Sequence, residues 1–255
     1  MNRMMALNAW FYREMAVFAI AYARVAPVFY FLPFLNDRVI VNAVLKNTII
    51  FVVVIGLWPD MQHLQIEGWP QLLGVVTTEA AVGAVLGVSL ALPFWIATAI
   101  GEMIDNQRGA TISDSIDPAT GVEASVLAPF VSLFIAAVFL QQGGMLTLMQ
   151  ALGDSYASIP IGSALHAQIW RFGTLLTDLV GKGIVLAAPV LVVMFLSDML
   201  LGLLSRVCPQ LNAFSLSLSV KSIVAFVIFH FYFWQALPGA LISIFDSHPL
   251  SSLIS

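Results

Sequence analysis

Residues 101–129 read GEMIDNQRGATISDSIDPATGVEASVLAP, and this polar stretch decides how the chain around it folds. A long run without Asp, Glu, Lys or Arg lies on each side, from Ala80 to Gly101 and from Ala124 to Gly153. Hydrocarbon or a protein interior accepts such runs but not the polar stretch between them. The stretch is therefore predicted to be a loop at the shared end of two buried helices. Its acidic residues are five of the chain's 14: Glu102, Asp105, Asp114, Asp117 and Glu123.

The composition is far more apolar than that of a soluble domain. Of 255 residues, 60% are hydrophobic and only 9% are charged, with a mean hydropathy of +0.95. About a quarter of the residues in a soluble domain are charged. The sequence therefore predicts an integral membrane protein. A net charge of -4 with ten basic residues provides no surface for a phosphate backbone, so no nucleic-acid partner is expected.

No catalytic or metal-binding motif is visible in the sequence. The single cysteine, Cys208, excludes an intrachain disulfide, and the four histidines have no metal-ligand spacing. A nucleophile elbow, an HExxH motif and a phosphate-binding glycine loop are all missing. The chain is predicted not to be an enzyme and to need no cofactor and no metal.

Helical segments are predicted along the whole chain. Only one further charge-free run, from Ser222 to Phe245, is long enough to span a bilayer. The other apolar segments contain charges, which in membrane helices usually face protein or water. The fold class is thus an all-α membrane protein with six to seven long, partly broken helices arranged as hairpins. The predicted helices cover about residues 10–34, 39–58, 71–103, 123–152, 175–206 and 211–236.

Five intramembrane charges are predicted to have structural roles: Glu14, Arg24, Glu79, Asp198 and Lys221. Glu14 and Glu79 are expected to pair with a neighbouring chain rather than to relay protons. Asp198 and Lys221 lie at similar distances from the turn at residues 208–212, so an antiparallel hairpin would bring them to the same depth. That they form a pair and that each faces water or snorkels alone are both left open.

Several residues predict helix breaks or close helix packing. Pro93 and Pro189 are candidate breaks, and Gln141 to Gly144 (QQGG) predicts an interruption in the fourth helix. Gly83 and Gly87 form a GxxxG step that allows two helices to approach closely. The apolar run from Met15 is predicted to be a retained first helix rather than a signal peptide, because charged residues lie directly before and after it.

Three motifs in the polar loop resemble a known family. GEMIDNQRG (101–109), DPATG (117–121) and SVLAPF (125–130) are similar to the loop of the FliR/SpaR/HrcT family, the export-gate subunits of flagellar and virulence type III secretion systems. The first motif is closer to the virulence branch. Residues 209–221, PQLNAFSLSLSVK, resemble the family's second signature, with Pro209, Asn212 and Phe214 as its turn motif, and RVAP at 24–27 fits the opening helix.

The resemblance implies a structural, pore-forming role. One copy would join the ring subunit, the two-helix subunit and the export switch protein in a helical hetero-oligomer. This assembly would lie in the bacterial inner membrane, within the base of the secretion system, as the entry portal for unfolded secreted proteins. The loop would plug the pore, and the implied plug residues are Arg108, Gly109, Ala110, Ile112, Ser113, Ser115, Ile116, Asp117, Pro118 and Gly121.

The family also implies a division into two unequal halves. Residues 1–152 resemble the ring subunit and include the polar plug loop at 101–124. Residues 153–178 are mixed and turn-rich, which predicts a junction between the halves, and residues 179–255 are expected to form a C-terminal helical-hairpin half that resembles the two-helix subunit.

Other interpretations of the same sequence remain. The polar loop can be an ordinary solvated connection, although Ile104, Ile112 and Ile116 are apolar residues that such a connection does not need. Broken helices with buried charges also suit a secondary transporter of a small solute, but the two halves differ in helix number. A passive assembly scaffold of the secretion machine is the third alternative.

Overall fold

The computed structural model describes residues 2–35, 40–58, 68–108, 125–162, 169–207, 213–235 and 239–240. Over these ranges the chain is helical, without a β-strand, as predicted. The helices are α1 (Asn2–Phe31), α2 (Ala43–Gly56), α3 (Trp69–Gln107), α4 (Leu127–Gln141), α5 (Gly144–Ser158), α6 (Ile169–Val207) and α7 (Ala213–Gln235), and a 3₁₀ turn covers Pro33–Leu35.

The predicted break in the fourth helix is confirmed. α4 ends at Gln141 and α5 begins at Gly144. Gly143 between them has a φ of 85°, a left-handed conformation that a residue without a Cβ adopts at low cost. Its amide donates to the carbonyl of Leu140 at 3.1 Å and so completes the end of α4.

The breaks predicted at Pro93 and Pro189 are wrong, because α3 and α6 continue through both residues. A proline removes one backbone hydrogen bond, which a long helix tolerates when its neighbours hold it in place. The turn-rich region predicted from Gly153 is also shorter than expected. α5 extends to Ser158, since the hydroxyl of Ser155 bonds to the carbonyl of Leu152 at 2.7 Å instead of interrupting the helix.

Three helical segments in the described part of the chain have the length and apolarity to cross a membrane: Trp10–Phe31, Trp69–Gln107 and Val180–Val207. α4 and α5 add a fourth crossing if the interrupted pair counts as one span. These segments agree with the prediction of a multi-pass membrane protein.

The chain divides into two compact units that interleave along the sequence. Among the described residues, the first unit contains Met1–Leu92 and Leu140–Ile169, and the second contains Pro93–Phe139 and Trp170–Ser247. The division into two halves with a junction at residues 153–178 stays a prediction.

In the first unit, α1 and α3 pack with their backbones in contact. A Cβ atom on Gly83 would collide with the carbonyl group of Arg24, and one on Gly87 would lie 3.0 Å from the Cα of Val28. The predicted GxxxG packing is therefore present. α2 lies against α1, where Phe18 and Phe51 have ring centroids 5.2 Å apart.

In the second unit, the C-terminal part of α3 packs against α4 and α6. A Cβ atom on Gly101 would lie 2.5 Å from the Cα of Ala128, so α3 and α4 touch at backbone distance just before the polar loop. Phe94 and Phe139 meet edge to face with centroids 5.5 Å apart. Gly183 of α6 is similarly close to the side chain of Ile96. These contacts fix the two helices that carry the loop.

Candidate functional site

The two ends of the polar loop lie in the described part of the second unit. α3 leads into the loop through Arg108, and the chain is described again from Ser125, just before α4. Arg108 is the one predicted plug residue within the described ranges. The others lie outside them: Gly109, Ala110, Ile112, Ser113, Ser115, Ile116, Asp117, Pro118 and Gly121.

A single carboxylate, that of Asp105 in the last turn of α3, connects the two loop ends. Its Oδ2 accepts hydrogen bonds from the hydroxyl of Ser125 at 2.6 Å and from the amide of Leu127 at 2.8 Å. The Ser125 hydroxyl in turn accepts from the amide of Ala128 at 3.0 Å. Asp105 and Ser125 therefore satisfy amides at the start of α4 that have no partner within the helix.

Arg108 completes the arrangement on the α3 side. Its Nε and one terminal nitrogen both lie 2.6 Å from Oδ1 of Asp105, an ion pair between residues three apart on a helix. The guanidinium carbon is 5.0 Å from the ring centroid of Phe226 in α7, within the range of a cation–π contact. The side chain of Asp105 has no exposed surface. A buried charge of this kind needs such compensation.

The residues at the two ends of the loop, Asp105, Gln107, Arg108, Ser125 and Leu127, are called the loop base. A second ion pair connects the loop base to the α6–α7 hairpin. Nζ of Lys221 in α7 lies 2.6 Å from Oδ1 of Asp198 in α6. The same Nζ is 3.5 Å from the carbonyl oxygen of Gln107, the last residue of α3. The sequence left two alternatives open for Asp198 and Lys221, a pair or two separate charges. The structure shows the pair. Because the side chain of Asp198 is 37% exposed, water screens the pair more than a buried one.

The contacts of the loop base hold the two ends of the loop together. Its charged groups are paired, and no group of three or more His, Cys, Asp or Glu residues that could hold a metal ion occurs among the described residues. One buried carboxylate joins residues on either side of the loop, and one lysine joins the end of α3 to the hairpin. The arrangement can hold a polar segment at the end of an apolar helix pair.

Comparison with known proteins then decides the family. Residues 15–247 match the family described as bacterial export proteins, family 1. The chain belongs to this family. It is the FliR/SpaR/HrcT family of type III export apparatus proteins that the loop motifs resemble.

Similar proteins carry names that refer to surface presentation of antigens or to protein translocation. This export protein is 44% identical over 239 residues to the surface presentation of antigens protein SpaR of Salmonella typhimurium, covering 92% of this chain and 89% of that protein. It is 43% identical to SpaR of Shigella flexneri over 231 residues, with 88% and 90% covered. Identity to the Yop proteins translocation protein T of Yersinia pestis is 27% over 252 residues, with 95% of each chain covered.

Family membership establishes the coarse function. The export protein is a virulence-type subunit of a multi-subunit type III export apparatus, and it is not an enzyme. Its apolar helices and its family together make it an inner-membrane protein.

A second polar cluster lies in the first unit of the export protein and connects three helices. Nε of Arg24 in α1 lies 2.5 Å from Oε2 of Glu79 in α3, and both side chains are buried. The other guanidinium nitrogens donate to the carbonyls of Ser155 and Ile159 at the end of α5, each at 3.0 Å. The guanidinium also lies over the ring of Tyr156, 4.3 Å from its centroid.

The prediction that Glu79 pairs with a neighbouring chain is therefore wrong. Gly83, one turn from Glu79, lets α1 approach closely enough for Arg24 to reach it within the same chain. Glu79 also accepts from the amide of Gly162 at 3.2 Å. The corresponding prediction for Glu14, a half-buried residue of α1, stays a prediction.

The family turn motif is only partly described. Pro209 and Asn212 lie outside the described residues, and Phe214 lies in the first turn of α7. Asp105 is one of the acidic residues of the polar stretch, and its role at the loop ends was not predicted. A signal was available, because Asp105 precedes Arg108 by three residues at a helix end and Ser125 is a favoured N-cap residue beside an apolar run.

Proposed function

We propose that this export protein is a pore-forming subunit of the type III secretion export gate, and that its loop at residues 101–124 plugs the entry portal for unfolded secreted proteins. The observation that carries the proposal is the convergence of both loop ends on the buried carboxylate of Asp105. These contacts hold the two ends of the segment together at one end of the α3–α4 pair. Such a loop is suited to blocking an opening.

The sequence of the loop supports a plug over an ordinary connection. A plug must exclude water by apolar contact and yet leave its seat when cargo arrives. Ile112 and Ile116 supply the apolar contact, while Ser113, Ser115 and Asp117 keep the segment compatible with water. Between these residues and α4 in the sequence, Pro118 restricts the backbone and Gly121 gives it conformational freedom.

The exposed apolar helix faces support assembly with other hydrophobic subunits. α6 exposes large side chains between Val180 and Val207, among them Val185, Phe195 and Leu200, and only 17% of the most apolar stretch of this segment is buried. Lipid or partner helices must cover such a surface. The proposed partners are the ring subunit, the two-helix subunit and the export switch protein, with one copy of this chain in the secretion-system base. The proposed cargo is unfolded protein.

Measuring passive leakage through the assembled gate tests the proposal. Deleting Thr111–Pro118 is expected to raise the permeability of the membrane to ions and small solutes when the partner subunits are present. A Gly/Ser replacement of the same eight residues should also leak, because it keeps the length and removes the apolar contacts. The matched control is a Gly/Ser replacement of residues 61–66, in another connection between helices.

An unchanged permeability in both loop variants would refute the plug and favour the passive-scaffold interpretation. Co-purification in mild detergent separates the remaining alternative. A large heteromeric complex of small hydrophobic subunits is expected for a gate. A stable monomer or dimer of this chain would instead point to a solute transporter.

A further inference from the structure

We propose that one face of α5 lies against water in the assembled export complex, and that α4 and α5 therefore do not form a membrane crossing. The inference goes beyond the proposed plug and does not depend on it. It concerns the first unit, which contains α5. Its basis is the way in which polar and apolar side chains divide around this helix.

α5 has a buried side and a separate polar side. The buried residues recur every three or four positions: Gly144, Leu148, Leu152 and Ser155. Four polar residues recur in the same way and are all exposed: Thr147, Gln150, Asp154 and Ser158. With 3.6 residues per turn, these four lie within about 80° of one another around the helix. They form one continuous strip, the polar face of α5.

Contacts within the chain hold the orientation of α5. Leu148 and Leu152 are each only 1% exposed. Arg24 of α1 donates to the carbonyls of Ser155 and Ile159 at the C-terminal end of the helix, each at 3.0 Å. Turning the polar face inward would break these hydrogen bonds and expose the two leucines. The polar face must therefore be accommodated by what surrounds the chain.

Hydrocarbon is a poor environment for this face. A carboxyl side chain such as that of Asp154 rarely faces lipid, because charge in the bilayer interior is costly. The amide of Gln150 has donors and acceptors that water satisfies and lipid tails do not. α5 contains no Lys or Arg, so its polar face has no positive charge to attract anionic lipid headgroups. Water satisfies all of these side chains.

α2 of the same unit provides the contrast. It exposes mainly apolar side chains, among them Val44, Phe51, Val52 and Ile55, which are 47% to 73% exposed. Lipid or another subunit must cover side chains of this kind. The first unit thus has two chemically different surfaces, an apolar one on α2 and a polar one on α5.

Spin-label accessibility measures the environment of each surface. Cys208→Ser removes the native thiol, and Gln150→Cys or Ser158→Cys then places a nitroxide on the polar face of α5. Val52→Cys, on the exposed side of α2, is the matched control. The complex with its partner subunits is reconstituted in lipid vesicles. Relaxation by a water-soluble nickel chelate is compared with relaxation by oxygen, which concentrates in hydrocarbon.

The complex with Cys208→Ser alone gives the background from other thiols. We expect the accessibility to the chelate at Gln150 and Ser158 to be at least about two-fold higher than at Val52, because water reaches only the polar face. It should also exceed the accessibility to oxygen at the same two positions. If Gln150→Cys prevents assembly, Thr147→Cys replaces it on the same face.

Three results would overturn the inference. Stronger relaxation by oxygen than by the chelate at both α5 positions would place the polar face in lipid. Protection from both reagents would mean that another subunit covers it. Equal accessibility to the chelate on α2 and α5 would remove the contrast between the two surfaces. A tight gate in the Thr111–Pro118 deletion, in comparison, would refute the plug and leave the environment of α5 unaffected.

Discussion

The guanidinium of Arg24 and the carboxylate of Glu79 meet at 2.5 Å inside the first unit, 55 residues apart in the sequence. Neither side chain is more than 1% exposed. Arg24 also binds two carbonyls at the C-terminal end of α5, where a positive charge compensates the helix dipole. One arginine side chain therefore connects α1, α3 and α5.

Removing one partner of this pair should destabilise the first unit strongly. Arg24→Gln leaves the carboxylate of Glu79 buried without its counter-charge, which costs about 3 to 5 kcal/mol. Thermal unfolding of the purified complex in detergent measures the effect. Arg13→Gln, on an exposed turn of the same helix, is the matched control. Equal melting temperatures for the two variants would contradict the structural role of Arg24.

Arg24→Lys should also be less stable than the wild-type protein. Lysine keeps the positive charge but has a single nitrogen, whereas the planar guanidinium reaches Glu79, Ser155 and Ile159 at once. We expect this variant to melt well below the wild type. A wild-type melting temperature would mean that charge alone, without the fork of donors, holds the three helices together.

Close packing of α1 on α3 predicts a large difference between two glycines of α3. Gly83→Ala would place a methyl group against the carbonyl of Arg24, and overpacking of this kind costs about 1 to 3 kcal/mol or more. Gly74→Ala meets nothing within 4 Å and should gain up to about 1 kcal/mol of helix propensity. The yield of assembled complex and its melting temperature measure both. A tolerated Gly83→Ala would show that α1 can shift away without loss.

Local signals predicted much of the fold. The glycine pair at 143–144 predicted the interruption between α4 and α5, because a left-handed residue ends a helix wherever it occurs. The spacing of Gly83 and Gly87 similarly predicted close packing. The prolines were less informative, since a proline weakens a helix locally while tertiary contacts decide whether the helix continues.

The buried ion pairs were harder to predict from sequence. Asp198 and Lys221 flank a single turn, so a hairpin alone brings them together. Arg24 and Glu79 belong to helices separated by α2, and their pairing depends on which faces of α1 and α3 meet. The role of Asp105 depends on the direction in which α4 returns to α3. Such non-local relationships are set by packing, which a single sequence does not record.

The pair of Asp198 and Lys221 should be coupled, but more weakly than a buried pair. Because the side chain of Asp198 is 37% exposed, we expect a coupling energy of roughly 1 kcal/mol or less, as for ion pairs that water screens. Asp198→Asn and Lys221→Met should each reduce secretion, and the double variant should recover part of the loss. Secretion of a reporter substrate measures all three. Purely additive defects would mean that the two residues act separately.

Contact between the loop and moving cargo is the remaining test, because leakage alone does not separate a gate from a scaffold that holds a gate shut. A portal must let an extended chain slide without strong binding, so small, weakly polar and apolar side chains should line it. A photo-crosslinking residue at Ile112 or Ile116, combined with a substrate stalled by a folded C-terminal fusion, is expected to trap that substrate.

The control position for this experiment follows from burial. Val53 in α2 is only 9% exposed and is therefore a poor site for reporting lipid or a partner subunit. Val52, the next residue, is 61% exposed and is the better site. A probe at Val52 should trap lipid or another subunit but not the cargo. Cargo crosslinks that appear at Val52 and not in the loop would mean that the secreted chain passes elsewhere, and the loop would lose its assigned role.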